Sequence, residues 1–369
     1  MINGVYKLTK SKSKRIFYFD ALRALAILSV INFHIFNGST LNYVVPQFAA
    51  IPSFAWFVTD FMVNCGRLGV ILFLMLSGAL SLGRSWSIKT FLGRRIPRIV
   101  YPYAFWTAFF IIIALILSYF FGIPFVKSFD LKSILVFIYQ TMFGLNGIGK
   151  HLWFFWMILG TYLIMPIFDK WAANCSLKEV EYFLCIWLVT CLFTFTLGTK
   201  FPVTLNYFTG AIGFVVLGYY LRHTERKILN NPYFDILLIL VTCIVTMFVS
   251  YSMSSSTELF KFNRYSIFMA LNVMGVFLLF KNFHKFNLNM DFLTKPGRLL
   301  NRFTLLLARY SYGIYLVHLP LIKIALVFIV GLPLSYILGI LWIVGLFGSL
   351  ILLYVFSKIP FMSDKVGVK

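Results

Sequence analysis

Apolar residues in this chain run in long blocks, broken by short basic or polar segments. A helix crossing a bilayer needs roughly 20 predominantly apolar residues, and the run IVYPYAFWTAFFIIIALILSYFFG supplies them without a charge. That template finds about ten transmembrane helices, near 17–36, 67–83, 98–121, 153–169, 182–198, 206–221, 234–251, 265–280, 310–330 and 335–357. A membrane β-barrel would show short segments of alternating polarity instead. The expected fold is therefore all-α, a polytopic membrane helical bundle. The stretch at 131–146 (LKSILVFIYQTMFGLN) is apolar but short, which suits a re-entrant or interfacial segment. The first apolar stretch is too long for a signal-peptide core and lacks a convincing cleavage site, so it is expected to remain as a helix.

Lysine and arginine concentrate in alternate connections. With the N-terminus inside, the segments 1–16, 84–98, 170–181, 222–233, 281–309 and 358–369 are cytoplasmic and hold most of the 33 Lys and Arg residues. This is the positive-inside bias of membrane proteins. Making 131–146 a span would move the later basic segments outside. The expected organisation is a cytoplasmic N-terminal tail at 1–16, one transmembrane domain at 17–357 and a cytoplasmic C-terminal tail at 358–369. The expected location is the cell inner (cytoplasmic) membrane. The formal net charge of +22 follows from the same bias against an anionic leaflet and needs no nucleic acid partner.

Composition agrees. Only 12% of residues are charged, against about 25% in soluble globular proteins, which excludes that class. There is no internal repeat, and the longest expected loops, 37–66, 122–152 and 281–309, are too short to fold as domains. Cys65, Cys175, Cys185, Cys191 and Cys243 show no metal-ligand spacing and read as small core residues. No metal site is expected.

Charges inside a membrane helix are costly unless paired or facing a cavity, so they point to function. Asp20, Arg23 and His34 share the first span. Asp20 and Arg23 are three apart and can pair on one face. His34 lies roughly 16 Å further along at 1.5 Å per residue, and histidine is the commonest general base. The same three residues also fit a helix-end ion pair with an interfacial aromatic. His318, in ARYSYGIYLVHLPLI, falls mid-span, and His151 opens HLWFFWMILGTYLIMPIF. Three histidines in one half of the membrane suggest a shared polar cavity. His223 and His284 fall in expected inner loops. In FLGRRIPRIVYP, Arg94 and Arg98 share a helical face with Arg95 beside them. They fit positive-inside anchors, or a clamp for a phosphorylated donor, since guanidinium pairs with phosphate in bidentate geometry.

Taken together, these motifs resemble the membrane acyltransferase-3 family. FDALRALA with Arg23 and His34 eleven residues apart is similar to its signature. RLGVILFLMLSG, FLGRRIPRIVYPY, HLWFFWMILGTYLIMP and YSYGIYLVHLPL resemble four later blocks, in the family's order across nearly the whole chain. The nearest resemblance is to O-acetyltransferases of enterobacterial common antigen and of intercellular adhesin. One position departs: Val70, Ile71 and Leu72 stand where many relatives carry an acid.

The resemblance implies transfer of an acyl group, usually acetyl, from cytosolic acyl-CoA to a hydroxyl of an envelope polysaccharide or its lipid-linked precursor. Acyl-CoA would be a co-substrate, with no permanently bound cofactor. Arg23 and His34 match the family's essential pair, and Arg94, Arg95 and Arg98 its donor-binding motif. His34 is expected as general base, or as carrier of a covalent acyl group. Arg23 is expected to orient donor or substrate, or to stabilise developing charge. His151, Trp153 and His318 are candidates to line the acceptor cavity, with Asp20, Ser311 and Tyr315 in support. A transporter of lipid-linked or surface polysaccharide is the rival reading. Such proteins usually carry internal repeats with interrupted helices, which this sequence lacks.

Overall fold

In a computed structural model, the described residues are 16–37, 53–199, 210–255, 258–283, 296–329 and 331–368. The apolar blocks form helices, and there is no strand among the described residues. In chain order these are α1 (Phe17–Ile35), α2 (Phe54–Asn64), α3 (Leu68–Ser81), α4 (Ile88–Phe121), α5 (Leu131–Met142), α6 (Trp153–Asn174) and α7 (Leu177–Thr190). They continue as α8 (Ala211–His223), α9 (Pro232–Met253), α10 (Ile267–Asn282), α11 (Pro296–Phe328), α12 (Leu334–Trp342) and α13 (Ser349–Ser357). π-helical turns at Cys191–Leu197 and Ile343–Gly348 prolong α7 and join α12 to α13.

Among the described residues, eight helical segments are long and apolar enough to cross a membrane. The other two expected spans are α8 and α10, of 13 and 16 residues. At 1.5 Å per residue, even α10 reaches only about 24 Å. Both are largely enclosed by neighbouring helices. The short segment α5 has 12 residues, about 18 Å of helix, which is too short to span.

Three expected connections are corrected. Within the loop expected at 37–66, α2 forms and runs through a short 3-10 turn into α3. Apolar pattern hid this because Asp60 and Asn64 interrupt the run. Both are fully buried, and the Asn64 amide donates to Asp60 Oδ1 at 2.8 Å. The basic segment 84–98 is mostly helix, since Ser87 caps α4 by accepting from the Thr90 N–H at 3.2 Å. Likewise α11 starts at Pro296, well inside the loop expected at 281–309.

Helix α1 occupies the centre. Leu22, Ala26, Ile27, Ile31 and Ile35 are fully buried, and α1 packs against both α3 and α11. Small residues let the backbones approach, as membrane interfaces require. A Cβ at Gly69 would strike the Ala26 carbonyl. Between α3 and α8 the fit is reciprocal: Gly78 abuts the Val215 backbone and Gly218 abuts that of Met75.

Candidate active site

At one end of the bundle, buried Asp169 of α6 accepts from the Arg84 and Trp86 backbone N–H groups at 2.8 and 2.6 Å. A carboxylate accepting two amides fixes the chain entering α4, and with it the arginines of the first turns. Arg95 donates to Ser81 Oγ at 2.7 Å, which ties α4 to the end of α3. In α1, Arg23 pairs with buried Asp20 at 2.9 Å.

These elements enclose a cavity of about 580 Å³. Arg23, Arg95 and Arg98 line it together with Ser77, Tyr162, Tyr312 and Tyr315. Ser311 also lines it, its hydroxyl donating to the Ala308 carbonyl at 3.0 Å. Asp364 and Gly367 from the end of the chain complete the wall. The flanking Val366 and Val368 are buried, and Trp106 donates its indole N–H to the Val366 carbonyl at 3.2 Å. Gly367 has φ of +82° and lies against Gly313, a left-handed close approach that suits glycine.

The three histidines converge beyond Tyr315. The rings of His34 and His318 are 5.2 Å apart, and those of His318 and His151 5.4 Å. Tyr315 sits 5.5 Å from the His151 ring and 6.2 Å from that of His318. Its hydroxyl donates to the His151 carbonyl. Pro320 explains part of this arrangement. It interrupts α11 and has no N–H to offer the Leu316 carbonyl four residues back. That carbonyl instead lies 3.0 Å from His151 Nε2. A carbonyl only accepts, so Nε2 carries the proton.

His318 is fully buried. Its Nδ1 meets the Ile314 and Tyr315 carbonyls at 3.0 and 2.8 Å and must be the donor. This tautomer leaves Nε2 with its lone pair, and that atom has no hydrogen-bond partner among the described residues. His34 is only partly buried, and it lies outside the lining of the large cavity.

The loop before α6 positions His151. The Tyr103 hydroxyl and the Trp156 indole both donate to the Met142 carbonyl, at 2.6 and 3.0 Å. Asn146 accepts from the Gly149 N–H at 2.8 Å, and a Cβ at Gly149 would collide with the Thr141 backbone.

The expected site residues thus divide. Arg23, Arg95, Arg98, Ser311 and Tyr315 share the large cavity, with Asp20 behind Arg23. His34, His151 and His318 form the adjoining cluster. Arg94 departs from its two neighbours. It shares a face with Arg98 but lies one turn, about 5 Å, nearer the helix start, where its guanidinium covers Trp86 at 5.4 Å. Trp153 lies beneath the Arg264 guanidinium at 3.7 Å rather than in the large cavity. His223 is exposed and bonds the Tyr219 carbonyl at 2.9 Å, while His284 lies outside the described residues.

Sequence pattern missed Tyr162, Tyr312 and Asp364 as cavity residues and Asp169 as the organiser of the α3–α4 link. Asp169 carried a signal, an acid within an apolar helix. Asp364 and the tyrosines carried none.

Residues 16–358 match the model of a family described as an acyltransferase domain (acyltransferase 3). Neither a curated protein nor a solved structure matches the chain.

Proposed function

Because the chain belongs to the acyltransferase-3 family and is a membrane acyltransferase, we propose that it moves an acetyl group from cytosolic acetyl-CoA to a hydroxyl of a cell-envelope polysaccharide or its lipid-linked precursor. One observation carries this reading: a cavity lined by three arginines abuts, through Tyr315, a cluster of three histidines. Arg95 and Arg98 stand on the first turns of α4, where guanidinium forks suit the phosphates of the donor. Arg23, held by Asp20 on the wall of the same cavity, would meet the negative charge that builds on a thioester oxygen.

In this mechanism His34 takes the proton of the acceptor hydroxyl. The hydroxyl oxygen bonds to the acyl carbon, the carbon–sulfur bond breaks, and coenzyme A leaves as thiolate. The proton held by His34 then returns to that sulfur or to solvent. His318 flanks His34 at 5.2 Å, with an Nε2 that has no hydrogen-bond partner among the described residues. General-base help of this kind contributes about 10²–10⁴-fold.

The test uses membranes holding the protein, its His34→Ala variant or its Arg95→Ala/Arg98→Ala variant, at matched expression. They are incubated with radiolabelled acetyl-CoA and host glycolipid. Transfer of label by the unmodified protein alone is the expected result. Equal transfer by all three would overturn the assignment of both sites.

A further inference from the structure

Around the His34 end of the bundle stand five cations that the donor cavity does not use. Arg67 comes from the α2–α3 junction, Lys150 from the loop before α6, Lys261 and Arg264 from the α9–α10 connection, and Lys323 from α11. Arg67 covers the ring of Phe33, the residue before His34, at 5.2 Å. Lys150 adjoins His151, and Lys323 follows His318 by little more than one turn. Lys261 and Arg264 flank Phe262, whose carbonyl accepts from Arg67.

Like charges gathered at the edge of a membrane domain repel one another, and here neutral groups hold them. Arg67 donates to the Phe262 carbonyl, on a segment anchored when the Phe262 N–H donates to Asn64 Oδ1 at 3.2 Å. Its Nε is buried with no hydrogen-bond partner among the described residues. Arg264 lies flat on Trp153 at 3.7 Å, which fixes its plane and leaves its N–H edge for another group. Among the described residues none of the five shares an ion pair with a carboxylate. Glu258 is the one acid among the described residues that acts on Lys261.

We propose that this cluster binds a phosphate oxyanion carried by the acceptor itself, so that the acylated sugar is a phosphorylated one. The proposal rests on the acyltransferase reading and names its acceptor class. Two arginine forks and three lysines match an acceptor with two or more charges better than a single carboxylate. A sugar on a lipid pyrophosphate and a sugar on a phosphodiester polymer both present such a group. Anchored there, the acceptor would place a nearby hydroxyl beside His34.

The test measures binding to the full-length protein in detergent micelles. The probes are N-acetylglucosamine on a short polyprenyl pyrophosphate, a glycosylated glycerol-phosphate oligomer, and the neutral polyprenyl glycoside of the same sugar. At least one phosphorylated probe is expected to bind ten-fold or more tightly than the neutral one, with affinity falling steeply as salt rises. Whichever does so identifies the source of the phosphate. Lys261→Gln/Arg264→Gln is expected to weaken that probe about 10–100-fold, the value of one or two charged hydrogen bonds, while acetyl-CoA still binds. If that variant fails to fold, Lys323→Gln and the salt dependence of the unmodified protein decide. Equal affinity for charged and neutral probes, or salt-independent binding, would overturn the proposal. Phosphate-dependent binding without acyl transfer from any thioester would instead sink the acyltransferase reading and leave this site standing.

Discussion

The imidazole rings of His34 and His318 lie 5.2 Å apart, although their helices, α1 and α11, stand near opposite ends of the chain. Their environments differ. His318 is fully buried and tethered through Nδ1 to two carbonyls of its own helix, whereas His34 is partly exposed. A tethered ring beside a freer one suits a pair in which the freer ring meets substrate. His34→Ala should therefore lower kcat by about 10²–10⁴-fold, and added imidazole should restore part of the rate. His318→Ala should lower kcat without imidazole rescue, because its site is sealed by packing. Steady-state transfer rates with and without added imidazole separate the two roles.

Arg95 and Arg98 line the large cavity, and Arg94 instead covers Trp86. Arg95→Ala and Arg98→Ala should each raise the KM for acetyl-CoA about 10–100-fold, the loss of a charged hydrogen bond. Arg94→Ala should change it less than about threefold, as expected of an exposed cation. An equal rise in all three would show that the donor reaches past the mouth to Trp86.

Asp169 sits far from the histidines, yet it holds the turn that leads into α4 by accepting from two backbone amides. Asp169→Ala leaves both without that acceptor, at about 1–3 kcal/mol each where they are buried. A lower Tm in detergent and a raised acetyl-CoA KM are expected together. A lower Tm with unchanged KM would mean that the turn does not position the arginines.

The α3–α8 contact depends on glycine at two facing positions. A Cβ at Gly78 would overlap the Val215 carbonyl, and one at Gly218 the Met75 backbone. Backbone cannot rotate out of the way as a side-chain tip can, so Gly78→Val should destabilise by about 1–3 kcal/mol or more. Thermal unfolding followed by tryptophan fluorescence reads this. Gly93→Ala, where nothing lies near the added carbon, is the control expected to leave Tm unchanged or slightly raised.

Lys261 lies outside the membrane-crossing helices. Burial holds its ammonium below the ordinary lysine range, as does the charge of Arg67; Glu258 opposes this, and Lys150 adds to the lowering. The charged form is thus lost at a lower pH than the usual value of about 10.4, and a bound anion favours the charged form. Affinity for a phosphorylated acceptor should fall as pH rises, starting below that value. In Lys261→Arg the contribution of this group to the limb should vanish, since guanidinium stays protonated. An unchanged pH profile in that variant would remove Lys261 from the acceptor site.

The sequence alone determined the class and the elements. Blocks of apolar residues cannot be buried as soluble core at this length, and hydrocarbon tolerates backbone only with its hydrogen bonds closed, so helices follow from composition. It also marked Arg23, His34, Arg95, Arg98 and His318, because a charged or titratable group within an apolar block is conspicuous against its neighbours. Helix limits were less legible where polar residues satisfy one another inside the bundle. Asp60 and Asn64 read as a loop in the sequence and proved to lie on the buried side of a helix.

Tertiary structure decided which of these groups meet. Nothing in the spacing of His34, His151 and His318 states that three separate segments converge. That follows from backbone approach at glycines such as Gly69 and from the carbonyl that Pro320 leaves free for His151. Arg94 was separated from Arg95 and Arg98 by one helical turn and the position of Trp86. The cation cluster around Arg67 and Arg264 was likewise invisible along the chain, because its members are single charges in unrelated connections. Helix identity is a local property of the residues in a segment, whereas the site is made by contacts between segments, and only packing fixes those.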